Sequence, residues 1–193
     1  YNPFASVDDS TCLYSAFIFG CTDPSMSNYN LNATHDDSSC CNTVQIKIGQ
    51  DIDGESVGDN NGYSVSYSMN SNIVAVGAPY NDGNGSNSGY VRIYENISGI
   101  WNQIGQDIEG AQSNDNSGYS ISLNSYGNIV AIGSPNGIDA NGAYSGHVRV
   151  YENIDGSWTQ IGLNIDAAYQ AAQANDKFGS SLSLSADGNT VAI

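Results

Sequence analysis

Apolar and small polar residues alternate along short stretches of the chain from Val44 onward. The clearest stretches are 63–67, 73–76, 91–94 and 101–104. Alternation with a period of two is typical of β-strands that have one face in a core. The pairs Asp155-Gly156 and Asp187-Gly188 suit tight hairpins because both residue types tolerate positive φ. No helical stripe of useful length occurs, so the pattern predicts an all-β structure.

This strand pattern repeats along the chain. Ile104-Gly105-Gln106-Asp107 repeats Ile48-Gly49-Gln50-Asp51, and Gly105 follows Gly49 by 56 residues. The units run over about 44–100, 101–157 and 158–193. The third unit carries an insertion near Ala167–Ala174 and stops inside an apolar run at Ile193.

Each unit contains four short strands, which is the composition of a β-propeller blade. An open four-stranded sheet cannot bury both of its faces by itself, and stacking blades around an axis solves that problem. About two and a half blades are visible in the sequence, whereas a closed propeller needs at least about four. We therefore expect a longer protein, or blades that other chains complete.

The first part of the chain contains a different repeat. Residues 1–12 align with residues 29–40, because both begin with Tyr-Asn and end with Asp-Asp-Ser followed by Ser or Thr and Cys. The lead at 20–28 has no counterpart before residue 1, so the first copy is truncated. We expect a small, disulfide-stapled, loop-rich module at 1–41, followed by blades at 42–193.

Four cysteines in a short module indicate disulfides and an oxidising compartment. We favour pairing of Cys21 with Cys40, because these two residues bound one repeat. Cys12 then pairs with a cysteine of the missing lead or with Cys41. A zinc site is less favoured, because the spacings are long and His35 is poorly placed.

Oxygen-bearing side chains crowd the same module and offer the hard ligands that calcium prefers. They are Asp23, Asn28, Asn30, Asp36 and Asp37. A weaker loop of this kind holds Asp82 and Asn84. The alternative for both groups is a set of solvated Asx-turns. Calcium is the one cofactor that the sequence suggests.

Charge excludes several functional classes. Four Lys and Arg against twenty Asp and Glu give a formal net charge of −16. Such a chain lacks the basic clusters that bind nucleic acid. No run of 18 apolar residues is present, so no membrane insertion is expected. No nucleophile elbow, phosphate-binding glycine motif or histidine cluster is found, and we expect no enzyme activity.

Three ordered motifs carry a family resemblance over about residues 44–193. Gly62-Tyr63, Gly77-Ala78-Pro79 and the run 89–94 resemble the FG-GAP repeat of integrin α-subunit propellers, and the next unit repeats them. The resemblance implies a propeller used for surface binding or adhesion. The Asp-rich calcium loop of many integrin-type blades is replaced here by plain turns at 68–72, 124–128 and 185–189. The metal site of that family is therefore not transferred to this chain.

The N-terminal repeat is similar to the Cys-bounded tandem repeats of secreted proteins from Bacteroidetes-type bacteria, and more loosely to the calcium repeats of thrombospondins. Asp9-Ser10-Thr11 and Asp37-Ser38-Ser39 resemble the O-glycosylation signal of these bacteria. The resemblance implies Ser10 and Ser38 as glycosylation sites.

These features together predict a secreted structural or adhesive repeat protein of a bacterial surface or filament. We expect it to be calcium-stabilised and to self-associate head to tail through neighbouring repeats or chains. The alternative is a carbohydrate- or protein-binding propeller module that forms no filament. Its platforms would be exposed tyrosines in turns, namely Tyr80, Tyr126 and Tyr144.

Overall fold

The computed structural model describes residues 18–26, 29–38, 40, 47–138, 144–167 and 176–193. The chain divides into two compact units, Tyr1–Lys47 and Ile48–Ile193. Strands and turns form all the regular structure of the described residues. Within these ranges we find no apolar helix of the length that a bilayer crossing requires.

The N-terminal unit is small and stapled. Strand β1 (Phe19–Gly20) pairs in parallel with β2 (His35–Asp36). A disulfide joins Cys21 to Cys40 with their Cα atoms 4.6 Å apart, which confirms the favoured pairing. Cys12 and Cys41 lie outside the described residues. A cross-link suits a unit of this size, because so short a segment buries little apolar surface.

The second unit begins with an antiparallel sheet in the order β3-β4-β5-β6. Its strands are β3 (Ser64–Tyr67), β4 (Ile73–Ala78), β5 (Tyr90–Ile97), β6 (Ile100–Gln103) and β7 (Ile108–Glu109). β6 and β7 both pair with β5, at its C-terminal and N-terminal halves respectively. The outer edge is thus one strand interrupted at 104–107, where Gly105 has a φ of +71°.

A second sheet repeats this arrangement, and a third begins it. The second sheet contains β8 (Ser120–Leu123), β9 (Ile129–Ser134), β10 (His147–Ile154), β11 (Ser157–Gln160) and β12 (Ile165–Asp166). The third contains β13 (Ser183–Leu184) paired with β14 (Val191–Ala192). The expected all-β fold of four-stranded, propeller-type blades is confirmed, together with the disulfide-stapled N-terminal unit.

Each sheet has two unlike faces. In the first sheet, the register places Ser64, Ser66, Ala75 and Gly77 on one face, which we call the small-residue face. Val65, Tyr67, Val74 and Val76 lie on the opposite, large-residue face. The second sheet repeats both faces with Ser120, Ser122, Ala131 and Gly133, and with Ile121, Leu123, Val130 and Ile132.

The core lies between the first two sheets. One cluster of buried residues combines Ala75, Val91, Ile93 and Ile108 of the first sheet with Leu123, Val130, Ile132 and Trp158 of the second. The small-residue face of the first sheet therefore packs on the large-residue face of the second. Removing this apolar surface from water is the main stabilising contribution to the stacking.

Candidate functional site

Serine hydroxyls link the sheets at their junctions. They lie on β3 and β8, the inner strands, which form the sheet edge opposite the interrupted outer strand. Ser64 Oγ donates to the carbonyl of Gly118 in the next sheet at 2.7 Å. Ser120 Oγ makes the same bond to the carbonyl of Gly179 at 2.6 Å. The same strand position thus binds the next sheet twice in succession.

A second hydroxyl on each inner strand acts as an acceptor. The N–H of Leu123 donates to Ser66 Oγ at 2.9 Å, and the N–H of Leu184 donates to Ser122 Oγ at 3.0 Å. Both amides belong to strands at the edge of their own sheets, where a backbone N–H otherwise lacks a partner. The second serine of the Ser-x-Ser pattern therefore supplies a hydrogen-bond acceptor for a backbone N–H at the edge of the following sheet.

Two glycines set the distance between the sheets. A Cβ atom on Gly77 would lie 2.3 Å from the carbonyl oxygen of Gly118. A Cβ atom on Gly133 would lie 2.0 Å from the carbonyl oxygen of Gly179. Neither glycine has a positive φ, so close approach of the next backbone is what requires glycine at both positions.

The outer rim of the junction between the first two sheets is held by a tryptophan and a glutamine. Trp158 Nε1 donates to the carbonyl of Ile104 at 2.9 Å, and Gln106 bonds both the N–H and the carbonyl of Trp158. Trp101 repeats these bonds with Ile48 and Gln50. Inner and outer strands are thus both linked across the boundary between the first and second sheets.

An open cleft of about 490 Å³ lies beside the first sheet. Two of its lining residues are buried polar side chains, Asp59 and Asn81, which are 5% and 4% exposed. Asn81 Nδ2 donates to Asp59 Oδ2 at 2.8 Å, and the N–H of Ser56 donates to the same oxygen at 3.0 Å. The floor of the cleft is therefore an ordered polar network.

Three of the residues that line this cleft are acidic, and one of them, Glu55, belongs to a charged group around Arg92. Arg92 forms ion pairs with Asp107 at 2.6 Å and with Glu55. Its hydrogen bonds hold the pKa of Asp107 below the ordinary value. Burial raises the pKa of Glu109, whose Oε2 finds no hydrogen-bond partner among the described residues. Arg92 thus pairs with two acidic side chains, and Glu109 stays outside this pairing.

Three tyrosines cluster beside the cleft. The rings of Tyr63 and Tyr119, which occupy equivalent positions in successive repeats, lie 4.8 Å apart. Tyr80 lines the cleft and meets Tyr63 edge-on with ring centroids 6.1 Å apart. A hydrogen bond with Tyr119 raises the pKa of Tyr63 to about 12. Tyr63 therefore stays uncharged at physiological pH.

The structure separates the three tyrosines that the sequence suggested as platforms. Tyr80 is at the cleft, whereas Tyr126 and Tyr144 do not line it. Both of these residues are exposed, at 65% and 52%. Tyr63 and Tyr119 were not among the expected platform residues, although the repeated Gly-Tyr pair at 62–63 and 118–119 is a visible signal.

The expected calcium ligands of the N-terminal unit form Asx-turns where they are described. Asp23 Oδ1 accepts from the N–H and the hydroxyl of Ser25. Asn30 Oδ1 accepts from the N–H of Asn32, and Asp36 Oδ1 accepts from the N–H of Ser38. Asp37, the fourth expected ligand among the described residues, is exposed. Asn28 and Ser10 lie outside the described residues.

The expected calcium loop of the second unit is also organised by hydrogen bonds. Asp82 Oδ1 accepts from the N–H of Asn87 at 2.8 Å, and Asn84 Nδ2 donates to the carbonyl of Gly110 at 2.8 Å. Within the described ranges no three His, Cys, Asp or Glu side chains come close enough to hold a metal. Calcium at either place stays a prediction.

A buried aspartate in each of the first two repeats escaped the sequence reasoning. Asp115 is 1% exposed and accepts from the N–H groups of Ala111 and Gln112 through Oδ2. Asp59 is its counterpart, and both residues stand three positions before a glycine of the repeat. The recurrence of Asp-Asn before that glycine was the signal that could have revealed them.

The comparisons with known proteins identify one repeat type. The family model described as the FG-GAP repeat matches residues 52–94, which include the cleft segment and most of the first sheet. No curated protein gives a significant match to the chain. FG-GAP repeats are typical of extracellular β-propeller modules, so the expected resemblance is confirmed for the first repeat.

Proposed function

We propose that this protein is an extracellular structural or adhesive repeat protein of a bacterial surface or filament, whose sheets continue head to tail. The FG-GAP match at 52–94 and the Cys21–Cys40 disulfide support an extracellular location. The strongly acidic, Lys-poor composition suits a scaffold that stays soluble at high concentration.

The observation that carries the proposal is the repetition of one junction. The two hydroxyl bonds and the glycine contact between the first and second sheets recur between the second and third. A contact in which unlike faces meet can be repeated in the same direction, and it forms a ring or a filament according to the rotation at each step. Repeat proteins extend in this manner.

Negative-stain imaging of the purified chain over a range of concentrations tests this function. We expect rings or linear particles longer than one chain at high concentration. Isolated round particles of single-chain size at every concentration would contradict the filament, while leaving the fold unchanged.

Calcium stabilisation is part of the same proposal. The ligands would be the oxygens of Asp23, Asn30, Asp36 and Asp37 in the N-terminal unit, with Asn28, and those of Asp82 and Asn84 in the second unit. Binding to the folded state adds about 2.7 kcal/mol when calcium is 100-fold above its Kd. Thermal unfolding with calcium, with magnesium and with a chelator measures this effect. Equal melting temperatures in all three would exclude it.

A second function, binding of a carbohydrate or protein at the cleft, is favoured by the tyrosine cluster. Aromatic faces beside planar polar side chains are common in ligand sites. Binding to a glycan array should fall after Tyr80→Ala and stay unchanged after Tyr126→Ala, because Tyr126 is exposed outside the cleft. An array without hits for the unmodified chain would argue against this function.

Two further predictions from the sequence remain proposals. They are glycosylation at Ser10 and Ser38, and the absence of enzyme activity. Ser38 is exposed, which a glycan attachment site requires. The intact mass of protein from a bacterial host with O-glycosylation, compared with that of Ser38→Ala, tests the modification.

A further inference from the structure

The large-residue face of the first sheet is more exposed than its counterpart in the second sheet. Val65 and Tyr67 are 60% and 59% exposed. Their counterparts are Ile121, which is half-buried, and Leu123, which is 7% exposed. The small-residue face of the first sheet covers the second pair, and nothing among the described residues covers the first pair in this way.

The backbone of the same face keeps free hydrogen-bonding groups. Ser68 N–H donates to the carbonyl of Ile73 at 2.9 Å, so the neighbouring N–H of Tyr67 points away from β4. The counterpart N–H of Leu123 is bound by Ser66 Oγ. In the described residues the N–H of Tyr67 has no such hydroxyl, and the carbonyl of Gly62 has no counterpart of the Ser64 bond.

The third sheet presents the complementary surface. Ser181, Ser183 and Ala192 of its small-residue face are all exposed. Ala75 and Ala131, which correspond to Ala192, are completely buried in the two junctions. The third sheet therefore carries the hydroxyls and the small side chains that make a junction, with no sheet packed on them among the described residues.

Residues 48–50 mark the place of a sheet in front of the first one. Their bonds to Trp101 repeat those of residues 104–106 to Trp158. Residues 104–106 lie in the interruption between β6 and β7, along the outer edge of the first sheet. By the same geometry, residues 48–50 follow the course of the outer strand of a preceding sheet, which continues the established junction.

We propose that this open face docks a second copy of the chain, with the small-residue face of the copy's third sheet packed on the large-residue face of the first sheet. Ser183 Oγ of the copy accepts from the N–H of Tyr67, and its Ser181 Oγ donates to the carbonyl of Gly62. This inference rests on the proposed head-to-tail assembly and assigns the two surfaces that form it. Because the two faces differ, the contact is heterologous.

Two variants block one surface each. Tyr67→Asp places a charge on the receiving face, and Ser183→Arg places a bulky charge on the donating face. Both residues are exposed in the single chain, so we expect circular dichroism spectra and melting temperatures close to those of the unmodified protein. Tyr126→Asp, which changes a tyrosine of similar exposure away from both faces, is the matched control.

Sedimentation velocity over a concentration series reads the result. The unmodified chain and Tyr126→Asp should form species larger than dimers, whereas each blocked variant alone should remain a monomer. An equimolar mixture of the two blocked variants should form a dimer, because one free face of each kind remains. Ser183→Ala should weaken association by about tenfold, which corresponds to about 1.4 kcal/mol.

Several outcomes would overturn the inference. Assembly of Tyr67→Asp to the same sizes as the unmodified chain would show that another surface is used, and the proposed assembly would survive. A mixture of the blocked variants that stays monomeric would exclude the pairing of these two faces. A monomeric unmodified chain at all concentrations would defeat both this inference and the filament.

Discussion

The first and second sheets share one backbone frame and differ in the side chains attached to it. Both have the same strand order, the same interrupted outer strand and the same hydroxyl bonds to the following sheet. They differ at the outer tryptophan, at the first position of the third strand and at the partner of the central arginine. The frame depends on small residues and backbone groups, which leaves the larger side chains free to vary.

The outer tryptophans offer the largest contrast. Trp158 is 4% exposed and belongs to the core cluster, whereas Trp101 is only half-buried. Trp158→Ala should lower the free energy of unfolding by about 3–5 kcal/mol, the usual cost of a large buried aromatic. Trp101→Ala should cost clearly less. Urea unfolding measures both, and equal losses would show that the rim bonds matter more than the burial.

The junction glycines give the next largest effect. Gly77→Ala forces a Cβ against the carbonyl of Gly118, which should cost about 2–3 kcal/mol. Gly133→Ala is the matched change at the second junction, where the partner sheet consists of two short strands among the described residues. We expect a smaller loss there, measured by the same unfolding experiment. A stability of Gly77→Ala within 0.5 kcal/mol of the unmodified protein, on the order of a neutral surface change, would contradict the close packing.

His147 and Tyr90 occupy the same position in the two sheets, and only His147 carries a group whose ordinary pKa lies near neutrality. His147 is 1% exposed, and burial lowers its pKa to about 4, with the charge of Arg149 acting in the same direction. In the unfolded state His147 binds a proton below about pH 6.5, whereas in the folded state it does so only below about pH 4. The free energy of unfolding should therefore have its full value above about pH 6.5 and decrease by about 2–3 kcal/mol as the pH falls toward 4.

His147→Leu tests this dependence, because leucine is a side chain of similar size that suits a buried position and has no group that titrates. Unfolding at pH 4.5 and at pH 7 should differ less for the variant than for the unmodified protein. The same pH difference in both proteins would assign it to other groups.

The arginine partners give the smallest contrast. Arg92 bonds the carboxylate of Asp107, whereas Arg149 bonds the amide oxygen of Asn164 at 3.1 Å. Because the pKa of Asp107 is lowered, its contribution is present above about pH 4 and is lost as the pH falls through the lowered value. Asp107→Asn should cost about 1–2 kcal/mol at pH 7 and progressively less as the pH falls below the ordinary pKa of a carboxyl group.

The reciprocal change sharpens this comparison. Asn164→Asp supplies Arg149 with a carboxylate and should raise the unfolding free energy at pH 7 by about 1 kcal/mol. A loss of stability in this variant would mean that the acidic surroundings outweigh the new ion pair.

Regular elements were the part of the fold most accessible from the sequence. The alternation at 63–67, 73–76, 91–94 and 101–104 marked four strands of the first sheet, because half-buried strands expose every second residue. The strand expected at 73–76 is present as β4, but β4 is buried on both faces, so the alternation from which it was predicted does not correspond to an exposed face there. The Cys21–Cys40 pairing followed from the repeat boundaries.

The candidate site was much less accessible. Ser64 and Ser66 resemble ordinary solvent-facing strand residues, and their bonds reach Gly118 and Leu123, which lie more than fifty positions away. Asp59 resembles a surface turn residue, yet the fold buries it beside Asn81. Sequence periodicity describes one strand at a time, whereas these roles depend on which sheet is adjacent.

The sequence by itself determined the repeat length, the strand pattern, the acidic charge and the half-cystines, because all four are local or compositional properties. Only the tertiary structure decided which face of each sheet is covered, why Gly77 must be glycine and how the tyrosines gather beside the cleft. These features arise from contacts between residues that are distant in the chain, and stacking of the sheets brings them together.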